Sequence, residues 1–485
     1  MNTAVEKLLP DNAYWKYFLQ ICAIPHISGH EEKLRDFLVA EAQKYALQCR
    51  VDKAGNLAID RPAAPGYENN PVIILQAHLD MVPQAAEGVE FDFLNDAVTP
   101  MVEGDWVTTG GRTTLGADDG MGVALAMELL TDQTLQCGPL RAVFTVSEET
   151  GLGGAEDIDL EFLDADVLFN LDSDVTFTIG CAGGSRFMGA QKLSAAAPEA
   201  NTVGLRFYLS GMQGGHSGVD IHRNVGSACR VIGDFLRDIT DMGFAIAQVK
   251  AGTLHNAIAR EAECSGAIAE SELEKVAELV KAYNTLLNTQ FEPAPGGQIV
   301  LTAEKIPAPN EVLTPDAQEK LLTVWDALPH GLLSVCPDGS VETSSNLAVV
   351  EGSCGSDWSF TLLVRSLYDA QREKVTGEAL ELLHANGFAG EVDSAYTSWD
   401  PKWDSPLLEM ACAIYRDVMN KEPEKFVIHG GLEPGMFCGM NPKLQMLSFA
   451  PATQAVHSPQ EKLSISDSEA VRKLLHALVE RIREL

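Results

Sequence analysis

Apolar residues along the first third of the chain alternate between two spacings. Residues 31–46 (EEKLRDFLVAEAQKYA) place them at helical intervals. A turn, KAGN, leads into a short strand at 57–59. PVIILQAHLD then reads as a buried strand ending in polar residues, and 121–130 (MGVALAMELL) as an apolar helix. RAVFTVSEE and residues 165–172 (ADVLFNLD) repeat the pattern of an apolar run closed by acids. Near-continuous apolar strands separated by helices predict a mainly parallel sheet with helices on both faces, an α/β fold.

From about Arg186 the texture changes. Residues 203–210 (VGLRFYLS) alternate apolar and polar, as a half-exposed antiparallel strand does. Helices are predicted at 226–240, 270–287 and 370–386, with strands at 346–351 and 360–365. This reads as an α+β domain inserted into the first. Strands at 427–429 and 444–449 and a helix at 468–484 return the chain to the parallel sheet. The expected division is a discontinuous domain of residues 1–185 and 386–485 around an insertion of 186–385.

Composition narrows the function. The chain has 485 residues, enough for two domains. Its net charge of −34, from 35 basic and 69 acidic residues, repels phosphate backbones and argues against a nucleic-acid partner. No stretch approaches the roughly 20 apolar residues of a membrane span, and the N-terminus lacks the pattern of a secretory signal. The ten cysteines include no Cys-x-x-Cys pair. A cytoplasmic protein with no membrane partner is the expectation.

The candidate chemistry gathers at strand ends. One predicted strand closes on His78-Leu79-Asp80, a second on Glu148-Glu149, a third on Asp172, and a fourth is soon followed by His457. Ligands of parallel α/β sheets bind at the carboxyl ends of the strands. His78 and Asp80, two apart, share a face, where a carboxylate fixes the tautomer of a metal-bound imidazole. The plain alternative is a satisfied core histidine near a capping aspartate. Asp118-Asp119-Gly120 precedes the apolar helix, either as an ordinary N-cap or as a carboxylate held to bridge two cations. Glu148 and Glu149, read as neighbours on a strand, point to different sides. One then suits a metal and the other a general base, unless the strand simply emerges into solvent there. A histidine and carboxylates around a bridging acid suit Zn²⁺, Mn²⁺ or Co²⁺, ions that polarise a scissile carbonyl and generate hydroxide near neutral pH.

In the predicted insertion, Gly214-Gly215-His216-Ser217-Gly218 is either a plain turn or a histidine placed to stabilise an oxyanion. A serine nucleophile beside His216 lacks a supporting Gly-x-Ser-x-Gly elbow. His26, His30, His330, His384 and His476 read as structural, while His222, His255 and His429 stay open.

Taken in order, HLDMVP, TLGADDGMG, SEETGLGGA, NLDSD, GGHSG and HSP resemble the M20 family of metallopeptidases, and within it the aminoacyl-histidine dipeptidase type. ICAIPHISGHEE, TLHNAIAREA, VETSSNLAVV, LLVRSLYD and HGGLEPGMF extend the resemblance over nearly the whole chain. It implies a di-zinc exopeptidase-like catalytic domain with an inserted lid and dimerisation domain. It also implies a homodimer and small dipeptide substrates, including Xaa-His and β-Ala-His. By the same resemblance His78, Asp118, Glu149, Asp172 and His457 are metal ligands, with Asp118 bridging two zinc ions. Asp80 orients His78, Glu148 is the general base and His216 assists at the substrate carbonyl. Asn256, Arg365 and Gly431 correspond to substrate contacts, Arg365 being suited to a C-terminal carboxylate. His255, Ala259, Pro434 and Cys438 depart from the family pattern, which bears on substrate preference. The rival readings are an amidohydrolase of N-acyl amino acids and a non-catalytic metal-binding relative.

Overall fold

The computed structural model describes residues 9, 11–173 and 177–483. It divides into two compact units. One comprises Met1–Cys181, Trp399–Val427 and Leu432–Leu485, the other Ala182–Ser398 and Ile428–Gly431. The later division falls beyond residue 386 for a physical reason. The strand Ala389–Tyr396 pairs along Gly183–Lys192 and extends the second unit's sheet by that strand.

In the first unit an eight-stranded sheet is built around four parallel strands, Leu140–Thr145, Ile73–His78, Val167–Asn170 and Gln445–Ser448, side by side in that order. Leu57–Arg61 and Gln48–Val51 continue one edge antiparallel, and Phe177–Cys181 and Lys425–Ile428 lie at the other. Every residue of Ile73–His78 and Val167–Asn170 is buried, so both sheet faces are covered there. This is why those runs lack polar alternation. Each fully buried Ile, Leu or Phe contributes roughly 1.5–3 kcal/mol, and Phe144, Phe169, Phe177 and Phe18 share one core. Ala117–Thr131 packs on the parallel strands and Ala13–Cys22 packs on it in turn. The closing helix, Ile465–Arg481, is started by Ser464, whose side chain accepts the Asp467 N–H.

The second unit holds a nine-stranded sheet on its own core of Trp325, Trp358, Phe207, Phe235 and Phe360. Its strand pairings are antiparallel, with Val341–Ser353 against Asp357–Ser366 near the middle. Ala228–Thr240 lays a strongly amphipathic face on this sheet, burying Val231, Ile232, Phe235, Leu236 and Ile239. Among the described residues no helix is long and apolar enough to cross a membrane.

Candidate active site

At the carboxyl ends of the four parallel strands, His78, Asp118, Glu149, Asp172 and His457 come together. Asp118 is central. Its Oδ1 lies 3.0 Å from Nε2 of His78 and its Oδ2 lies 3.4 Å from Nε2 of His457. Glu149 Oε1 is 2.9 Å from Nε2 of His457, and Asp172 Oδ1 is 3.9 Å from Nε2 of His78. Despite that proximity Glu149 Oε1 is buried without a directed N–H donor. Two imidazoles and three carboxylates thus aim lone pairs into one space, divided by Asp118 into a His78–Asp172 side and a His457–Glu149 side.

Carboxylates outnumber imidazoles in this buried cluster, and the shifts of its groups reflect that excess. Burial pushes Asp172 and Glu148 well above the usual carboxylate range, and Asp118 adds to the effect on Asp172. The Asp118 and Glu149 carboxylates beside it push the His457 imidazole up to about 10. A pocket that holds a half-exposed imidazole protonated to that extent carries an excess of buried negative charge. Nitrogen and carboxylate donors in this ratio suit one or two divalent ions of borderline hardness.

The Asp118–Asp119 pair divides its work. Asp119 Oδ1 accepts the Gly122 N–H at 3.2 Å, the bond of a helix cap, and its Oδ2 accepts the His78 N–H at 3.2 Å. The capping alternative therefore holds for Asp119 and not for Asp118. Asp119 also lies within ligand distance of His78 and Asp172. With both oxygens engaged by backbone, and with burial and Asp172 raising its pKa, it is the weaker donor. Asp118 is held low by His457 and His78, which outweigh its burial.

Two sequence arguments change. Glu148 and Glu149 are not on the strand, which ends at Thr145; they follow Ser147, whose φ is 54°. The turn, not strand alternation, separates their directions. Asp80 also behaves differently from a carboxylate set against an imidazole. His78 Nδ1 is 2.9 Å from the backbone carbonyl of Asp80, with the carboxylate at 3.5 Å. That carboxylate accepts the backbone N–H groups of Glu148 and Glu149 and the Ser28 hydroxyl. The Glu148 side chain itself makes no hydrogen bond or ion pair to another described residue. Non-glycine residues at positive φ are uncommon, and two occur here: Ser147 beside the cluster, at 54°, and His457 within it, at 60°.

Several supporting residues escaped the sequence reading. Glu461, buried, accepts the backbone N–H groups of Leu115, Gly116, Ala117 and Asp118 at 2.7–3.3 Å. Glu31 accepts the Ser147 N–H at 2.9 Å and Asn56 the Val146 N–H at 3.1 Å. The available signals were Glu461 four residues beyond His457, the acid of GHEE and the asparagine of KAGN.

His216, Asn256, Arg365 and Gly431 all lie in the second unit, and the structure brings them together there. Arg365 is buried, with Nη1 donating to the Tyr396 hydroxyl at 2.5 Å and Nε 3.4 Å from Ser217 Oγ. Ser217 donates its N–H to the Asn256 carbonyl at 2.8 Å. A Cβ on Gly431 would meet the Tyr396 ring at 2.9 Å, and one on Gly218 the His429 carbonyl at 2.8 Å. The glycines of both motifs are thus fixed by close packing. Burial, then Arg365, keeps the His216 pKa below the ordinary histidine value. Of the three open histidines, His429 pairs its Nε2 with Ser344 Oγ at 2.8 Å, and the His255 carbonyl accepts from Asn346.

Residues 74–481 match the model of peptidase family M20/M25/M40. The chain belongs to this family. It is by that membership a peptide hydrolase. Over 476 residues, 97% of each chain, it is 34% identical to the cytosol non-specific dipeptidase of Escherichia coli K12. Its fold matches aminoacylhistidine dipeptidase from Vibrio alginolyticus with a TM-score of 0.86, at 34% identity and 98% coverage of both chains. The aminopeptidase PepT of Bacillus cereus shares the fold at a TM-score of 0.56 and 15% identity, over 97% of this chain and 98% of that one.

Proposed function

We propose that this chain is a two-metal dipeptidase that hydrolyses small dipeptides, Xaa-His and β-Ala-His among them. The observation that carries the reading is Asp118, with one carboxylate oxygen turned to each of two histidines. His78 and Asp172 would hold one divalent ion, His457 and Glu149 the other, and Asp118 both. Zn²⁺ is the first choice on the donor set, with Co²⁺ or Mn²⁺ as substitutes. When bound, such a pair supplies Lewis-acid polarisation of the scissile carbonyl and lowers the pKa of water.

The chain's own residues do the rest. Glu148, its carboxylate uncommitted, takes the proton of the attacking water and returns it to the leaving amine. Asp80 fixes the turn that carries Glu148. Arg365, buried with neutral hydrogen-bond partners, suits the substrate's C-terminal carboxylate, flanked by Tyr396, Asn256 and Gly431. His216 suits the oxyanion that develops at the carbonyl. The family and the names of the two full-length relatives support dipeptides, the word cytosol in one name supports a cytoplasmic location, and the resemblance supports a homodimer.

The test is hydrolysis of a dipeptide panel before and after chelation, then after restoring Zn²⁺, Mn²⁺ or Co²⁺, with N-acetyl amino acids alongside. Activity that disappears and returns with metal supports the reading. Activity that survives complete stripping of metal would sink the two-metal mechanism, and turnover of N-acetyl amino acids alone would reassign the substrate.

A further inference from the structure

Beneath the cluster, the four parallel strands carry polar side chains where a sheet core ordinarily carries apolar ones. Ser448 lies opposite Asn170, and Asn170 opposite Gln76. Gln76 and Asn170 stand two residues before His78 and Asp172, and Thr145 three before Glu148. All four polar residues are fully buried, as is Glu433 at the start of the helix Glu433–Met440.

Their hydrogen bonds run one way. Ser448 Oγ donates to Asn170 Oδ1, Asn170 Nδ2 donates to Gln76 Oε1, and Gln76 Nε2 donates to Glu433 Oε2. Thr145 Oγ1 donates to the same oxygen at 2.9 Å. Each amide passes the polarity on, and a carboxylate, which accepts at every lone pair, ends the row. Glu433 Oε1 has no hydrogen-bond partner among the described residues.

A buried carboxylate with an unpaired oxygen costs stability that an apolar side chain of similar size would not. A purely packing role does not account for it. We propose that Glu433 is a positioning residue for the reaction at this site: its carboxylate is the shared acceptor that closes a row across four parallel strands and fixes the strands that lead into His78, Glu148 and Asp172. The electrostatic influence of Glu433 on Glu148 and Asp172 agrees with this placement. The inference rests on the reading of Glu148 as the base.

The experiment compares full-length, Zn²⁺-loaded wild type, Glu433→Ala, Glu433→Gln and Glu148→Gln on one dipeptide that wild type hydrolyses, with metal content and the visible spectrum of the Co²⁺-loaded forms. Glu433→Ala is expected to lower kcat about 10- to 100-fold, with KM unchanged and the Co²⁺ spectrum altered. Glu433→Gln keeps an acceptor for both donors and is expected to restore most of kcat. A folded Glu433→Ala with wild-type kcat and spectrum, beside an inactive Glu148→Gln, would overturn this inference alone, as would a glutamine variant no better than alanine. An active Glu148→Gln removes the reading beneath it and this inference together. Should Glu433→Ala not fold, Thr145→Val removes one donor and carries the test: a lower kcat at constant KM supports the role, and an unchanged kcat overturns it.

Discussion

The Asp80 carboxylate accepts the backbone N–H of Glu148 at 3.0 Å, and with its other oxygen that of Glu149 at 3.1 Å. A side chain that follows the strand of one histidine thereby sets the turn carrying two glutamates from the next strand. Hydrogen bonds to a charged group are worth about 1.5–3 kcal/mol each, enough to hold a turn entered through a positive-φ serine. Asp80→Ala should lower turnover about 10- to 100-fold with both metals kept. Asp80→Asn, which retains one acceptor oxygen, should fall between. Steady-state kinetics with metal analysis would decide this, and wild-type turnover by Asp80→Ala would remove Asp80 from the site.

Glu148 is set apart from its neighbours by what it does not touch. Glu149 lies against His457, and Asp118 against both histidines, while the Glu148 carboxylate engages none of them. Glu148→Ala should therefore abolish turnover and keep the full metal content. If the variant loses metal instead, the roles of Glu148 and Glu149 have been exchanged.

His457 is half exposed, on a turn with its own φ at 60°, yet reaches Asp118 and Glu149. On the proposed assignment its imidazole would be the nitrogen donor on the Glu149 side. His457→Ala should lower bound metal toward one ion per chain, read by elemental analysis after dialysis against metal-free buffer. A variant with two ions and full activity would take His457 out of the ligand set.

The parallel core was legible because burial on both faces leaves an unbroken apolar run, as in PVIIL, and because such runs end where the sheet ends. Of the candidate ligands, His78 closes one such run and Asp172 lies two residues past another, which is what made them legible. The second unit was less legible. Glu391 and Ser394 in Ala389–Tyr396 are exposed on a strand paired on its inner side to Gly183–Lys192, and without an apolar run nothing marked it as sheet. The supporting carboxylates Glu31, Glu433 and Glu461 went unassigned for another reason. Each acts on backbone or side-chain donors far away in sequence, Glu461 on residues more than 340 positions earlier, and a local pattern does not contain such partners.

Glu461 tests the value of that long-range support. Four N–H groups at the start of the helix Ala117–Thr131, from Leu115 to Asp118, end on its carboxylate, the need an N-terminus has and local residues here do not meet. Glu461→Ala leaves those donors buried and unpaired, at a cost of about 3 kcal/mol or more. Denaturant unfolding of the metal-free protein would measure it. A loss under about 0.5 kcal/mol, the range of an ordinary surface substitution, would show that the turn holds without Glu461.

His330 offers a pH test in the second unit, away from the candidate metal ligands. Its Nδ1 accepts the Leu347 N–H at 3.0 Å, a bond that requires the nitrogen to be unprotonated. Burial, then the charge of Arg230, lowers its pKa from 6.5 to about 4. The folded chain thus binds this proton less readily than the unfolded chain. The associated stability is fully present above pH 6.5 and is lost as pH falls toward 4, where both states are protonated. The shift corresponds to at most about 3 kcal/mol, and less because the side chain is partly accessible. His330→Asn keeps an acceptor for Leu347 and removes the titration. Its stability should fall less than that of wild type between pH 7.5 and 4.5, by about 1–3 kcal/mol in denaturant midpoints converted to free energy. Buried acids such as Glu433 give pH slopes of their own, but these are common to both proteins and cancel in the difference. Parallel stability curves for wild type and His330→Asn across that range would show that His330 titrates alike in the folded and unfolded chains.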